Sequence, residues 1–265
     1  MRLYWLYSLS SPALCLFVVG FFVAFCLAGL FLTRGWVRRL HQVDHSHNDI
    51  VGFYLAAIAV IDAITLALVA VGTWETYTDV QLRVDHEAAT LASIYRDASG
   101  YPEPLRTALQ NDLRFYYHQV VDLAWPMQQR GIVADVSGVA LQKFQRDFMT
   151  FEPATEQQKI VAAETYRAFN ELSECRRYRI DSVTTELPGP IWLMVMTGAL
   201  LGIAATWLFD THSFAMHLCL SIVYSVLIAL PVYIIVALDN PYRGRLSIGP
   251  DPLVRVYQQL MVANH

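Results

Sequence analysis

The sequence predicts an all-α membrane protein with four transmembrane helices in two pairs and a helical-bundle insert between spans two and three. Two observations predict this fold class: four long apolar segments grouped in two pairs, and a polar segment with helical periodicity between the pairs. The composition agrees, because 55% of the 265 residues are hydrophobic and 16% are charged. A soluble domain has about 25% charged residues.

Each apolar segment is long enough to cross a bilayer. The segments cover residues 12–32, 50–72, 190–209 and 213–238, and Asp62 is the one Asp, Glu, Lys or Arg within them. A helix rises about 1.5 Å per residue, so about 20 apolar residues span the hydrocarbon core. The first segment exceeds the apolar core of a signal peptide and lacks a small-residue cleavage site, so we expect an uncleaved span.

The segments divide the chain into a first transmembrane pair (1–72), a helical extramembrane domain (73–187), a second transmembrane hairpin (188–238) and a C-terminal tail (239–265). Residues 73–98 contain no Gly or Pro, and their apolar residues recur at steps of three and four. This spacing predicts that span two continues beyond the apolar segment as one long helix. Further helices are expected over three segments: 105–125, ended or kinked by Pro126, 137–151, and from Pro153 to the 188–190 break, with Thr155 as a cap.

The arginines give two answers about orientation. An even number of crossings separates the N-terminus, the extramembrane domain and the tail, so all three lie on one side. The total count of arginines near span ends places that side in the cytoplasm. Arg34, Arg38 and Arg39 follow the first span and only Arg2 precedes it, which argues the reverse. We favour the total count, which gives cytoplasmic termini and insert in a bacterial inner membrane.

Asp62 is the leading candidate functional residue because it lies near the middle of span two. A charged carboxylate at that depth costs at least about 2.5–3.5 kcal/mol. Helical spacing places Asp62, Thr65, Val69 and Thr73 along one stripe, which suits an ion path or a subunit interface. The alternative is a protonated Asp62 that bonds to a neighbouring helix and stabilises the bundle.

The sequence favours neither a metal site nor an enzyme. His41, His45 and His47 have spacings that could place two imidazoles on one helix face, but we favour an interfacial loop that contacts lipid head groups. Sequence signatures of phosphate loops, zinc proteases, hydrolases and dinucleotide-binding folds are absent, so we expect no catalytic residues and no cofactor. A net charge of −4 gives no indication of nucleic-acid binding.

Several short motifs are similar to those of a family of uncharacterised bacterial four-span proteins known as bestrophin-like, over nearly the whole chain. The residues that carry the resemblance are His47, Asn48, Asp49 and Gly52 before and within span two, Trp74 and Glu75 at its exit, Glu87, Ala88, Ala89, Tyr117, Trp125 and Pro126 in the insert, and Asp239, Pro241 and Gly244 after span four.

By analogy, the resemblance implies a bestrophin-type channel. Bestrophins are pentameric anion channels with both termini and the insert in the cytosol and with span two lining the pore. This chain departs from them in two respects. An ionised Asp62 on a pore-lining helix would repel chloride, and no hydrophobic neck triplet can be matched. The resemblance therefore leaves ion selectivity open.

Three function hypotheses follow. The first is a homo-oligomeric ion channel, with a pentamer favoured, in which Asp62, Thr65, Val69 and Thr73 line the ion path. Asp79 and Glu87 would then form a negative vestibule that favours cations, and the permeant ion is unknown. The second is a membrane-anchored interaction or sensor protein whose helical domain docks a partner. The third is a proton-coupled transporter that uses Asp62, although no inverted repeat supports it.

Overall fold

The computed structural model describes residues 4–41, 47–211 and 213–262, and the regular structure in these ranges is helical. The α-helices are α1 (Ser11–His41), α2 (His47–Ala98), α3 (Leu105–His118), α4 (Trp125–Gln129), α5 (Gly138–Phe148), α6 (Glu156–Asp181), α7 (Gly189–Thr206), α8 (Phe214–Leu238) and α9 (Asp251–Val256). Short helical turns over Tyr4–Ser8 and Ser182–Thr184 and wider turns over Gln119–Ala124 and Tyr257–Val262 adjoin them.

Four of these helices, α1, α2, α7 and α8, are long and apolar enough to cross a membrane. They coincide with the four predicted spans, so the predicted all-α fold with four spans is confirmed. The prediction that span two continues as one helix is also confirmed, because α2 is unbroken over 52 residues. The helix α1 extends to His41, beyond the predicted apolar segment that ends at residue 32.

The chain forms two compact units. The first unit comprises Met1–Thr76, Glu186–Asp239 and Gly244–Leu246, and the second comprises Tyr77–Thr185, Asn240–Arg243 and Ser247–His265. In the first unit, α1, α7 and α8 bury a common apolar core that includes Phe22, Cys26, Val195, Ile203 and Ile235. The second unit has its own core, supplied by α2 residues beyond Tyr77 and by α3, α5, α6 and α9.

The sequence predicts that Pro126 ends or kinks the helix over residues 105–125. The helical structure does not end at Pro126. The helix α3 ends at His118, a wider turn follows over Gln119–Ala124, and α4 then carries the proline in its first turn. In the wider turn the Trp125 amide donates to the Val120 carbonyl five residues earlier. The helix therefore accommodates the missing amide and the ring of Pro126 by local widening rather than by termination.

The last helix of the insert begins as the sequence predicts, with Thr155 as its cap. The Gln158 amide donates to the Thr155 hydroxyl at 3.2 Å, and the Gln158 side chain accepts from the Thr155 amide at 3.3 Å. This reciprocal pair satisfies two amides that a helix N-terminus otherwise leaves unpaired. The helix α6 then runs 26 residues and supplies one wall of the second core.

Candidate functional site

The membrane-spanning part of α2 is covered only slightly by the other described residues. Within its most apolar 18 residues, 11% are buried, against 28–33% in the corresponding segments of α1, α7 and α8. The large exposed side chains on this helix include Phe53, Tyr54, Val60, Ile61, Ile64, Leu68, Val71 and Trp74. The span singled out by the sequence is therefore the one that is least packed within the described chain.

Asp62 is an exception on this helix, because its side chain is buried with 5% exposure. Its carboxylate lies against α7, where a Cβ atom on Gly198 would be 2.4 Å from Oδ1 and one on Gly202 would be 3.5 Å from Oδ2. The Oδ1 atom has no hydrogen-bond partner among the described residues. This position agrees with the structural alternative, in which Asp62 packs on a neighbouring helix.

The other members of the predicted stripe divide between buried and half-buried positions. Thr73 is buried, with its hydroxyl donating to the Val69 carbonyl at 2.8 Å. Thr65 is half-buried and donates to the Ile61 carbonyl at 2.9 Å, and Val69 is also half-buried. Both threonine hydroxyls thus donate to carbonyl groups of their own helix, so neither has a free donor for a neighbouring helix.

Glu87 does not contribute negative charge to a vestibule in this structure. Its side chain is fully buried and accepts from Arg179 Nε at 2.7 Å and from the Tyr116 hydroxyl at 2.5 Å. Both charges of the pair are 0% exposed, so the arginine compensates the carboxylate locally. The expectation that Glu87 lines an open vestibule disagrees with this burial, because a paired carboxylate inside a core does not reach solvent.

Asp79 has a different environment, since about half of its side chain is exposed. It accepts a hydrogen bond from the Tyr178 hydroxyl and lies 3.8 Å from Arg83 Nε on the next turn of α2. Exposed ion pairs of this kind are screened by solvent and are worth little. Asp79 thus remains available to a solvated surface, whereas Glu87 does not.

The buried pair belongs to a larger polar and aromatic cluster. The Arg179 guanidinium lies over the Trp125 ring, 5.7 Å from its centroid, and the Trp125 ring makes an edge contact with Tyr242. Burial, and then the charge of Glu87, raise the pKa of Tyr116 well above its ordinary value. Burial lowers the pKa of Arg179, but attraction to Glu87 outweighs this effect and the pKa of Arg179 is raised.

His47 and Asn48 hold the start of α2 to the α7–α8 connection. The Asn48 side chain donates to the Asp210 carbonyl at 2.5 Å and accepts from the Asp210 amide at 3.0 Å. His47 Nε2 bonds to the Leu208 carbonyl at 2.8 Å. Asp49 is exposed, and Gly52 faces the Phe209 ring, which a Cβ atom would meet at 3.8 Å. The side chains of this motif therefore bind backbone groups of the α7–α8 connection.

The motif after span four forms a second backbone anchor. Asp239 accepts from the Leu187 amide at 2.6 Å and from Trp192 Nε1 at 3.3 Å, and the Pro241 carbonyl accepts from the Ile248 amide at 2.8 Å. Gly244 has φ of +87°, a conformation that side chains disfavour and glycine permits. The family-motif residues therefore shape turns and close packing.

The histidine cluster is not assembled as a metal site in the part of the chain that the structure describes. His45 lies outside the described residues, and His41 is the last residue of α1. Among the described residues, no group of three or more His, Cys, Asp or Glu side chains is arranged to hold a metal ion.

Two residues near the predicted site were not identified from the sequence: Arg179, the partner of Glu87, and Tyr224, near Asp62. Arg179 follows Phe169 and Leu172 on the buried face of α6, and Glu87 follows Val80 and Val84 on the buried face of α2. A charge on each of two apolar stripes, of opposite sign, indicates a buried pair. Tyr224 of α8 lies beside Gly202, and no charge pattern in the sequence around it indicates this position.

The chain matches the family model of the bestrophin-like domain over residues 20–253. It belongs to the bestrophin-like family. Among curated proteins, no sequence matches this chain.

Solved structures show the same fold. Crystal structures of a bacterial bestrophin homologue from Klebsiella pneumoniae are similar to this chain, which they match over 93% of its length. Two point-mutant forms give TM-scores of 0.71 and 0.72 at 12% and 11% identity, with 97% and 99% of their own chains covered. A form solved by zinc anomalous phasing gives 0.71 at 12% identity and 97% coverage. The predicted family and the predicted bestrophin-like layout are therefore confirmed.

Proposed function

We propose that this bestrophin-like protein is a homo-oligomeric ion channel, with a pentamer favoured, in which copies of α2 surround the ion path. Membership of the family supports a channel-like function. The observation that carries the proposal is the low burial of α2, since 11% of its most apolar segment is covered within one chain. Neighbouring copies would cover part of that surface and leave another part facing the path.

The face that would line the path lies opposite Asp62. Successive helical residues are rotated by about 100°, so Phe53, Val60, Ile64 and Val71 lie within about 20° of the direction opposite Asp62. All four are exposed large apolar residues. Apolar constrictions in channels gate by excluding water, so this face suits a narrow segment of the path.

Asp62, Thr73 and Glu87 are buried within one chain, which supports a position behind the proposed path rather than on its surface. Thr65, Val69 and Asp79 remain candidates for its margin. Neither Asp62 nor Glu87 would then face a passing anion. Of the three carboxylates on which the expected preference for cations rested, only that of Asp79 would remain near the path. The permeant ion stays open between the two signs of charge.

We place the protein in a bacterial inner membrane with the insert and both termini in the cytoplasm. The total count of arginines near the span ends supports this orientation.

A cysteine-modification experiment tests the α2 path. The background carries Cys15→Ser and Cys219→Ser, because Cys26 and Cys175 are buried. Ile64→Cys places a thiol on the proposed path, and Leu220→Cys is the matched control on the exposed face of α8. A charged, water-soluble methanethiosulfonate should block ion flux into liposomes for Ile64→Cys and leave Leu220→Cys unaffected.

Two results would contradict the proposal. Flux that responds equally in both variants would remove α2 from the path. The absence of flux for any tested monovalent ion in the unmodified wild-type protein would remove the channel function and favour a membrane-anchored interaction protein.

A further inference from the structure

The Asp62 carboxyl group lies in a notch on α7, at the position where a Cβ atom on Gly198 would stand. A Cβ atom on Gly198 would be 2.4 Å from Asp62 Oδ1, closer than real Cβ atoms approach other groups. Gly202, one turn further along α7, would place a Cβ atom 3.5 Å from Oδ2. Gly198 therefore leaves the space that the carboxyl group fills, whereas a Cβ atom on Gly202 would make ordinary van der Waals contact with it.

The polar surroundings of this carboxyl group are sparse. The Tyr224 hydroxyl of α8 flanks Gly202, 3.1 Å from the position of its Cβ atom, and Asp62 flanks the same position. Among the described residues around Asp62, no basic side chain pairs with it, and Oδ1 has no hydrogen-bond partner.

The two protonation states of Asp62 therefore differ greatly in how well they suit the notch. An ionised carboxylate in the middle of a span costs at least about 2.5–3.5 kcal/mol, and none of the described residues pairs with Asp62 to offset that cost. A neutral carboxyl group avoids it and can use its proton as a donor to a neighbouring helix. A ligand shifts a conformational equilibrium when it binds one state better than the other, and this holds for a proton as for any ligand.

We propose that Asp62 is a membrane-embedded proton-binding site: it is neutral while its carboxyl group occupies the Gly198–Gly202 notch beside Tyr224, and loss of the proton releases α2 from α7. Because α2 is also the helix that surrounds the proposed ion path, proton occupancy would control ion flux. The control of flux rests on the proposed channel function, whereas proton binding itself does not.

Infrared difference spectroscopy of the full-length protein in lipid, between acid and alkaline pH, tests proton binding directly. A buried carboxylic acid with few hydrogen bonds absorbs at higher frequency than a solvated one. We expect such a band in the wild type and its loss in Asp62→Asn, which keeps the size of the side chain. A band that persists in Asp62→Asn, or its absence from the wild type, would overturn the proposal.

A matched pair of glycine variants separates the notch from general effects on packing. Gly198→Ala adds a methyl group where the carboxyl group lies, so the band should shift or disappear. Gly20→Ala is the control in α1, because no atom lies within 4 Å of the added Cβ. A band that is unchanged in Gly198→Ala would show that the notch does not hold Asp62.

Flux into liposomes over the same pH range tests the regulation. We expect flux that depends on pH in the wild type and loses that dependence in Asp62→Asn. An identical pH dependence in the two proteins would overturn the regulatory role. No flux from either protein at any pH would count against the channel function, and the infrared band would still decide proton binding.

Discussion

Replacing Glu87 with glutamine would leave the Arg179 guanidinium in the second unit without its countercharge. Both side chains are 0% exposed, and Arg179 Nε lies 2.7 Å from a Glu87 oxygen. The Tyr116 hydroxyl also donates to this carboxylate. The substitution keeps the size of the side chain, so its effect isolates the charge.

The expected loss is large because a buried charge cannot be rehydrated without opening the core. Removing one partner of a buried ion pair costs about 3–5 kcal/mol. In a chain of this size each kcal/mol lowers Tm by about 2–4 °C, so Glu87→Gln should lower Tm by roughly 6–20 °C. Removing both charges, as Glu87→Leu with Arg179→Met, should recover most of this loss, because such replacements are often neutral.

Thermal unfolding of the purified protein, followed by tryptophan fluorescence, measures the loss. Trp125 is a suitable probe because its ring lies 5.7 Å from the Arg179 Cζ atom. Glu164→Gln is the matched control, since Glu164 pairs with Arg167 on the exposed surface of α6 and such pairs contribute less than about 1 kcal/mol. If Glu87→Gln unfolds at the same temperature as Glu164→Gln, the buried pair does not stabilise this unit.

Three further predictions concern other parts of the chain. Burial raises the pKa of Cys175 to about 11, so about 0.1% of it is thiolate at pH 8, and peptide mapping after iodoacetamide treatment should find it modified only in denaturant. The hydrogen bond to Asp112 raises the pKa of Lys143. The stabilisation of the folded state by protonated Lys143 is therefore complete below the unfolded-state pKa of about 10.4 and is lost as the pH rises through the higher folded-state pKa. Lys143→Met should lack this alkaline loss of stability when unfolding is measured as a function of pH. Asn48→Ala removes both bonds to the Asp210 backbone and should cost about 1–3 kcal/mol, measured as a lower Tm.

The number of spans and the continuity of α2 could be predicted from sequence because both depend on local properties. Apolar length alone determines whether a helix can cross the hydrocarbon core. The absence of Gly and Pro from residues 73–98 predicts an unbroken helix, and α2 is unbroken to Ala98. The resemblance in the short motifs identified the family for the same reason, since each motif is read within a few residues.

The direction in which Asp62 points could not be predicted from α2 alone. Periodicity shows which residues share a face, but the face that meets α7 depends on how three helices pack. In the structure, the side chain of Asp62 fills the space beside Gly198 of α7. Of the stripe that suited an ion path on an isolated helix, Asp62 and Thr73 are thus buried, and Thr65 and Val69 are half-buried.

The burial of Glu87 was not predicted, because the sequence interpretation considered its charge without its position on the helix. Glu87 lies on the same face as Val84 and Leu91, both buried. A carboxylate on such a face requires a buried partner. Arg179, on the buried face of α6, is that partner. Identifying that partner required the packing of two helices that are far apart in sequence.

We expect copies of this chain to assemble through the exposed face of α2. Native mass spectrometry of the purified protein tests it most directly. The chain has a mass of 30.0 kDa, so the favoured pentamer predicts a species of about 150 kDa that persists after the detergent is removed. A single species of 30.0 kDa would contradict the claim, because the exposed face of α2 would then have no neighbouring copy to enclose an ion path.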